Sequence, residues 1–333
     1  MKKLLNDPHA YVEEMLAGLV AAHPDVYRLH GETGRVIARA DPKRPGKVGI
    51  VSGGGSGHLP VFTGYVGTGL IDACAIGDVF ASPSVEQMVD AIRAADAGAG
   101  VLRLYGNYGG DVMNFDMAGD LVEIEDDIAA TTVLLADDVA SAPPGEAEKR
   151  RGVAGMVYAF KIAGAKAEEG GDLETVTALA QRTADACRSI GAALGPCTVP
   201  QAGKPTFEIE DDEMEMGMGI HGEPGVWRGR LRSADEVASE MMDKLLEDMP
   251  LGRGERASVL VNSLGATPLE ELYILYRVVS KRLMEAGVEI VMPLVGRYAT
   301  SMEMTGVSFT LCKLDDEMER LLKAPCNCAF WRV

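Results

Sequence analysis

The sequence predicts an α/β protein built as two α/β domains, each a mixed or parallel sheet flanked by helices. Three observations carry this reading. Short β-rich runs alternate with helical stretches up to about residue 190; a Gly- and Pro-rich interval follows at 195–230; and the alternation then resumes as far as residue 313. The domains are placed at 1–184 and 185–333. In order, Val48–Val51 is an apolar strand that stops at Ser52-Gly53. Residues 85–98 are amphipathic through Val85, Met88, Val89 and Ile92 and predict a helix. Residues 100–104 and 131–136 (TTVLLA) predict two further strands, the second ending at Asp137-Asp138. Helical stretches at 150–169 and 172–190 meet at Glu169-Gly170-Gly171-Asp172, where glycine supplies a C-cap and Asp172 an N-cap. Helices near 234–247 and 268–286 then alternate with strands near 257–263, 288–295 and 307–313.

Composition removes several functions. With 32 Lys and Arg against 50 Asp and Glu, the net charge is -18, and such a surface repels phosphate backbones. No apolar run approaches the ~20 residues of a membrane helix, and Met1–Asn6 lacks the apolar core of a signal peptide. A cytoplasmic protein with reduced thiols is expected, since the six cysteines are scattered and contain no CxxC. The Cys326/Cys328 pair has no nearby histidine to complete a zinc site. The acidic run 208–215 holds six acids without the turn glycine of a calcium loop and reads as a solvated face. No metal site is expected.

Open α/β sheets bind ligands beyond the carboxyl ends of their strands, so the loops there are the places to look. Ser52-Gly53-Gly54-Gly55-Ser56-Gly57-His58 follows a strand directly. Its glycines let a ligand approach the main-chain amides, but it is neither GxGxxG nor a Walker loop. Asn107-Tyr108-Gly109-Gly110-Asp111 follows the next strand. Asp111 is either an acid aimed into a cleft or the cap of a helix beginning at 113–116. His221-Gly222-Glu223-Pro224-Gly225 is the third loop. Of five histidines, three lie in the first 30 residues, leaving His58 and His221 among glycines. A neutral imidazole can act as a nucleophile toward carbonyl carbon and as an acid or base.

Taken together and in this order, these segments resemble the dihydroxyacetone kinase family, specifically its substrate-binding K subunit. The likeness runs nearly end to end, through MKKLLNDP, GGGSGH (53–58), NYxGD (107–111), RRGVAG (150–155), LGPCTVPQAGKP (194–205), EMEMGMGIHGEPG (213–225) and NSLGATPLEELY (262–273). It implies a homodimer of two-domain subunits. It also implies that His221 binds a small ketose through its carbonyl as a hemiaminal. His58 would assist that addition, and Asp111 would hold the terminal hydroxyl and act as base for its phosphorylation. Gly55, Ser56, Gly57, Ser82 and Gly106 would line the pocket. Covalent capture suits a ligand of about six heavy atoms, whose noncovalent affinity is bounded near roughly 9 kcal/mol. Two departures concern the rim. Leu59 stands where many members have an acid, Gly106 where they have lysine, and Gly109 where they have threonine. These are read as opening room for a C4 ketose such as erythrulose. No cofactor is expected on this chain. ATP or ADP with Mg²⁺ is expected on a separate L-type subunit, charged directly or through a phosphotransferase-system phosphocarrier. A ketose-binding regulatory paralogue is the non-catalytic alternative.

Overall fold

The computed structural model describes residues 2–42 and 44–333; Met1, in the segment read as no signal peptide, lies outside the described residues. Two sheets organise the chain. The first runs β1 (Tyr27–His30), β2 (Val36–Arg39), β4 (Ala73–Val79), β3 (Gly49–Ser56), β5 (Val101–Gly106), β6 (Ala130–Leu135) in spatial order. Strands β4, β3, β5 and β6 are parallel, and the β1–β2 hairpin adds an antiparallel edge. The second sheet contains β7 (Cys187–Gly195), β8 (Glu213–Met216), β9 (Trp227–Arg230), β10 (Arg256–Ser263), β11 (Glu289–Ile290), β12 (Leu294–Gly296) and β13 (Thr305–Leu314). Its order is β11-β10-β13-β7-β8-β9, with β12 also on β10, and only β11 and β12 pair in parallel. The expected class, α/β with mixed sheets and flanking helices, is the one observed.

Eight α-helices complete the fold among the described residues: α1 (Tyr11–Ala22), α2 (Val85–Ala95), α3 (Gly109–Asp126), α4 (Gly155–Glu168), α5 (Leu173–Asp185), α6 (Ala234–Asp248), α7 (Leu269–Glu285) and α8 (Asp316–Leu322). Helix α4 is buried on nearly every face, as an all-round apolar helix must be. It packs against β3 and β5 of one sheet and β7 and β13 of the other. Asp172 caps α5 by accepting from the Thr175 amide at 2.8 Å, as its position predicted.

Five expectations are corrected. The glycine run is not a loop: Gly53–Gly55 belong to the interior of β3, where rings press on the strand so closely that a Cβ at Gly54 would lie 2.3 Å from Phe62. Helix α3 starts at Gly109 instead of 113–116, its first turn disguised by two poor helix formers. The stretch 150–169 is helical only from Gly155, because residues 150–153 instead bond to the 137–141 loop. The stretch 172–190 ends at Asp185, and Cys187–Gly195 is a strand whose small residues carry little β signal. Its pairing with β13, Ile190 opposite Phe309, fixes it. The strand near 288–295 is likewise interrupted between β11 and β12, where Met292 takes φ +47°.

Candidate functional site

In the first sheet β3 lies between β4 and β5, so the chain moves one way to β4 and the other way to β5. That reversal opens a crevice at the carboxyl ends of these strands. His58 leaves the end of β3, Ser82 follows β4, and Asp111 lies in the first turn of α3 after β5. Two glycines permit this convergence. A Cβ at Gly55 would sit 2.7 Å from the Ala81 amide nitrogen and 2.8 Å from the Phe80 Cα, so the Phe80–Ser82 segment rests directly on β3. Gly57 takes φ +104°, which turns the chain so that the imidazole of His58 points inward.

His221 arrives from the second sheet, on the connection between β8 and β9, and its Nε2 lies 3.0 Å from His58 Nε2. The outer nitrogens are both committed. His58 Nδ1–H donates to the Thr300 carbonyl at 2.7 Å, and His221 Nδ1–H donates to Glu223 Oε1 at 2.9 Å. With Nδ1 protonated on each ring, a neutral pair would face lone pair to lone pair. One shared proton resolves the conflict, donated by one Nε2 and accepted by the other. His58 is the acceptor: it is buried, and burial and then the charge of His221 push it down to about 3. Burial works to raise Glu223, but the hydrogen bond and charge of His221 overcome it and bring the carboxyl down to about 2. Glu223 also accepts from the His221 amide at 2.9 Å, locking loop and ring together.

Packing fixes the two rings. Phe80 stacks on His58 at 5.0 Å between centroids and meets His221 edge-on at 5.3 Å. Tyr108 meets His221 edge-on at 4.8 Å and anchors its hydroxyl on the Gly152 carbonyl. Arg151 donates from Nε to Asp138 at 3.0 Å and from Nη2 to the Gly217 carbonyl at 3.3 Å, and its Nη1 lies 3.8 Å from Glu223. His221 keeps about a quarter of its side chain accessible while His58 keeps almost none. A ligand therefore reaches the pair from the His221 side.

Asp111 is buried, and its Oδ1 has no hydrogen-bond partner among the described residues. Burial raises its carboxyl to about 6, against a hydrogen bond from Ser82 and the charge of His221, which lower it. An ionised oxygen without a partner, near enough to feel the charge of His221, is placed to accept a hydroxyl proton. It does not cap α3: the N-cap is Tyr108, and no side chain caps there. Of the expected residues, Gly55, Ser56, Gly57, His58, Ser82, Gly106 and Asp111 gather at the ends of β3–β5, and His221 joins them from the other sheet. Glu223, Tyr108, Phe80, Thr300 and Arg151 were not singled out. Glu223 alone was legible, two residues from His221 in the same motif; the others meet the histidines only through the fold.

The rim differs from its sequence reading. A Cβ at Gly106 would lie 3.2 Å from the Tyr108 ring and 3.4 Å from Met156 Sδ, whereas one at Gly109 would meet nothing within 4 Å. The space beside Gly106 is filled by neighbours, while Gly109 faces open space in the first turn of α3. Leu59 lines a cavity of about 260 Å³ together with Ser56, Gly57 and Thr300 on one side and Lys3, Tyr11 and Arg297 on the other. The expected extra room is therefore absent beside Gly106. Among the described residues no cluster of three or more His, Cys, Asp or Glu could hold a metal, and no helix is long and apolar enough to cross a membrane.

Residues 17–330 match the Dak1 domain family. The chain is 48% identical, over 99% of its length and 100% of the relative's, to the dihydroxyacetone-binding subunit of a PTS-dependent dihydroxyacetone kinase from Listeria innocua. It is 43% identical over its whole length to an L-erythrulose kinase from Pectobacterium atrosepticum, of which it spans 56%. Among solved structures, a dihydroxyacetone kinase operon co-activator superimposes with a TM-score of 0.89 at 33% identity, covering 96% of this chain and 98% of that one. The C. freundii dihydroxyacetone kinase in complex with AMP-PNP and Mg²⁺ gives 0.89 at 32% identity, covering 99% of this chain and 61% of that one. This chain belongs to the Dak1 domain family, with the fold and length of the dihydroxyacetone kinase K subunit.

Proposed function

We propose that the chain is the substrate-holding subunit of a dihydroxyacetone-type kinase, a phosphotransferase with an alcohol acceptor, in which His221 captures the ketose. The observation that carries this is the imidazole pair, Nε2 to Nε2 at 3.0 Å with both Nδ1–H groups spoken for. When a ketone enters, the shared proton passes to His58 and frees the His221 Nε2 lone pair. That lone pair bonds to the carbonyl carbon, the C=O π bond breaks, and the oxygen takes the proton from His58. The positive charge ends on the His221 ring, beside the Glu223 carboxylate. Glycerol has no carbonyl and is refused.

Asp111 accepts the proton of the terminal hydroxyl as it attacks phosphorus, and Ser82 orients that carboxylate. Gly55, Ser56, Gly57 and Gly106 wall the pocket with main chain. Dihydroxyacetone is the substrate this geometry favours, since the space beside Gly106 is filled. The C4 reading keeps the support of the erythrulose kinase relative. A regulatory role keeps that of the co-activator structure, but a sensor needs no buried carboxylate with a free oxygen, and Asp111 Oδ1 is one.

The phosphoryl donor, ATP or ADP with Mg²⁺, belongs on a separate L-type subunit, recharged by a phosphotransferase-system phosphocarrier as the description of the Listeria relative suggests. A homodimer is supported by Leu231, Leu269, Tyr273 and Ile274, which are exposed around a groove of about 220 Å³ between α6 and α7. A cytoplasmic setting accords with six buried free thiols. A division into 1–184 and 185–333 falls between α5 and β7, where the chain changes sheets. The test is turnover of dihydroxyacetone with a charged donor subunit. His221→Ala should abolish it, and a variant with normal kcat would remove the covalent role.

A further inference from the structure

Helix α3 is apolar on two opposite faces. Asp111, Phe115, Ala118, Gly119 and Val122 are buried against the sheet. On the other side Met113, Met117, Leu121 and Ile124 stand 60%, 52%, 39% and 82% exposed. At 100° per residue these four fall within one narrow stripe pointing away from the sheet, about 16 Å long at 1.5 Å per residue. A surface helix ordinarily turns charge to water there. A continuous apolar stripe on that side marks a contact surface, and two methionines make it an adaptable one.

Position and charge indicate what covers it. The stripe begins two residues after Asp111, on the helix whose first turn holds that carboxylate. Phosphoryl transfer needs the donor within about 3–3.5 Å of the attacking oxygen, so a protein that carries the donor must close over this end of α3. Asp116, Asp120 and Glu123 run along one side of the stripe, and Asp120 and Glu123 make no ion pair among the described residues. Two copies of the chain meeting here would set this acidic row against itself. A partner whose apolar ridge is edged by lysine or arginine has no such conflict. We propose that the exposed face of α3 is the docking surface for the donor-bearing subunit, which packs an apolar ridge on Met113, Met117, Leu121 and Ile124 and sets basic residues against Asp116, Asp120 and Glu123. This rests on the reading above that the phosphoryl group arrives on a second protein.

The experiment titrates the donor subunit from the same source, charged with Mg²⁺·ATP or through the phosphoenolpyruvate relay, against a fixed concentration of this chain with saturating dihydroxyacetone. Met117→Glu and Asp120→Lys are exposed changes outside the site. Each should raise the donor-subunit concentration at half-maximal rate by about tenfold or more, leave kcat at saturating donor within about twofold, and leave the dihydroxyacetone KM unchanged. For Asp120→Lys the loss should shrink as salt rises. Unchanged half-saturation in both variants, with the unaltered chain active, would overturn the docking surface and leave the function standing. No turnover of the unaltered chain with either charged donor would instead overturn the donor-subunit reading, and the docking proposal with it. A loss of self-association in Met117→Glu, seen by light scattering, would assign the stripe to a second copy and overturn the proposal.

Discussion

At the residue scale, burial sets the roles of the titratable groups and makes them measurable. Asp111 is held near pH 6 by burial, so kcat should fall as pH drops through about 6, once the carboxyl becomes protonated. The same shift has a stability sign. A carboxyl raised above its unfolded value binds its proton more tightly when folded, so its contribution declines as pH rises from about 4 to about 6. At pH 7 the folded protein carries a costly buried carboxylate. Asp111→Asn should therefore lower kcat by ~10²–10⁴ while stabilising the fold at pH 7 by ~1–3 kcal/mol, with little stabilisation at pH 4. Thermal melts at the two pH values check this; a variant less stable at pH 7 would make Asp111 a structural residue. Glu223 carries the opposite sign, being lowered to about 2, and its pairing with His221 should persist down to pH 3–4. Glu223→Gln should leave the fold intact and lower ketose affinity tenfold or more, because the amide offers His221 Nδ1–H only a neutral acceptor for the charge that capture creates. Calorimetric titration with dihydroxyacetone reads this directly, and unchanged affinity would remove Glu223 from the site.

At the element scale, strand β3 and the Phe80–Ser82 segment act as one unit. The Gly55 Cα approaches the backbone of residues 80 and 81 too closely to admit a Cβ. Gly55→Ala should therefore displace Phe80 from His58 and Ser82 from Asp111. We expect a stability loss of ~1–3 kcal/mol and a raised KM for the ketose; an unperturbed KM would mean that the segment is held by other contacts. Here lies the boundary of what the sequence revealed. Strands β5 and β6, helices α2, α6 and α7 and the Asp172 cap follow from local periodicity and end signals and appear near where expected, whereas β4 was not expected at all. The glycine run misleads because glycine ordinarily marks a turn, whereas here it serves close packing against Phe62 and Phe115. Cys187–Gly195 misleads because nothing local separates it from the helix before it; only β13 does. His58, Asp111 and His221 were legible through their motifs. Thr300 and Phe80 were not, since their contact with the histidines spans the fold.

At the scale of the whole molecule, two sheets bring one histidine each to a common point, and α4 packs against both. Separating them would separate the pair, so capture depends on the entire chain and not on either sheet alone. The most direct measurement of covalent capture is the ¹³C spectrum of dihydroxyacetone labelled at C2 and mixed with excess protein near pH 7. On the unaltered chain the C2 resonance should leave the carbonyl region for that of a tetrahedral carbon bonded to nitrogen and oxygen, and His221→Ala should abolish this new resonance. A tightly bound ketose that keeps its carbonyl resonance would contradict capture by His221.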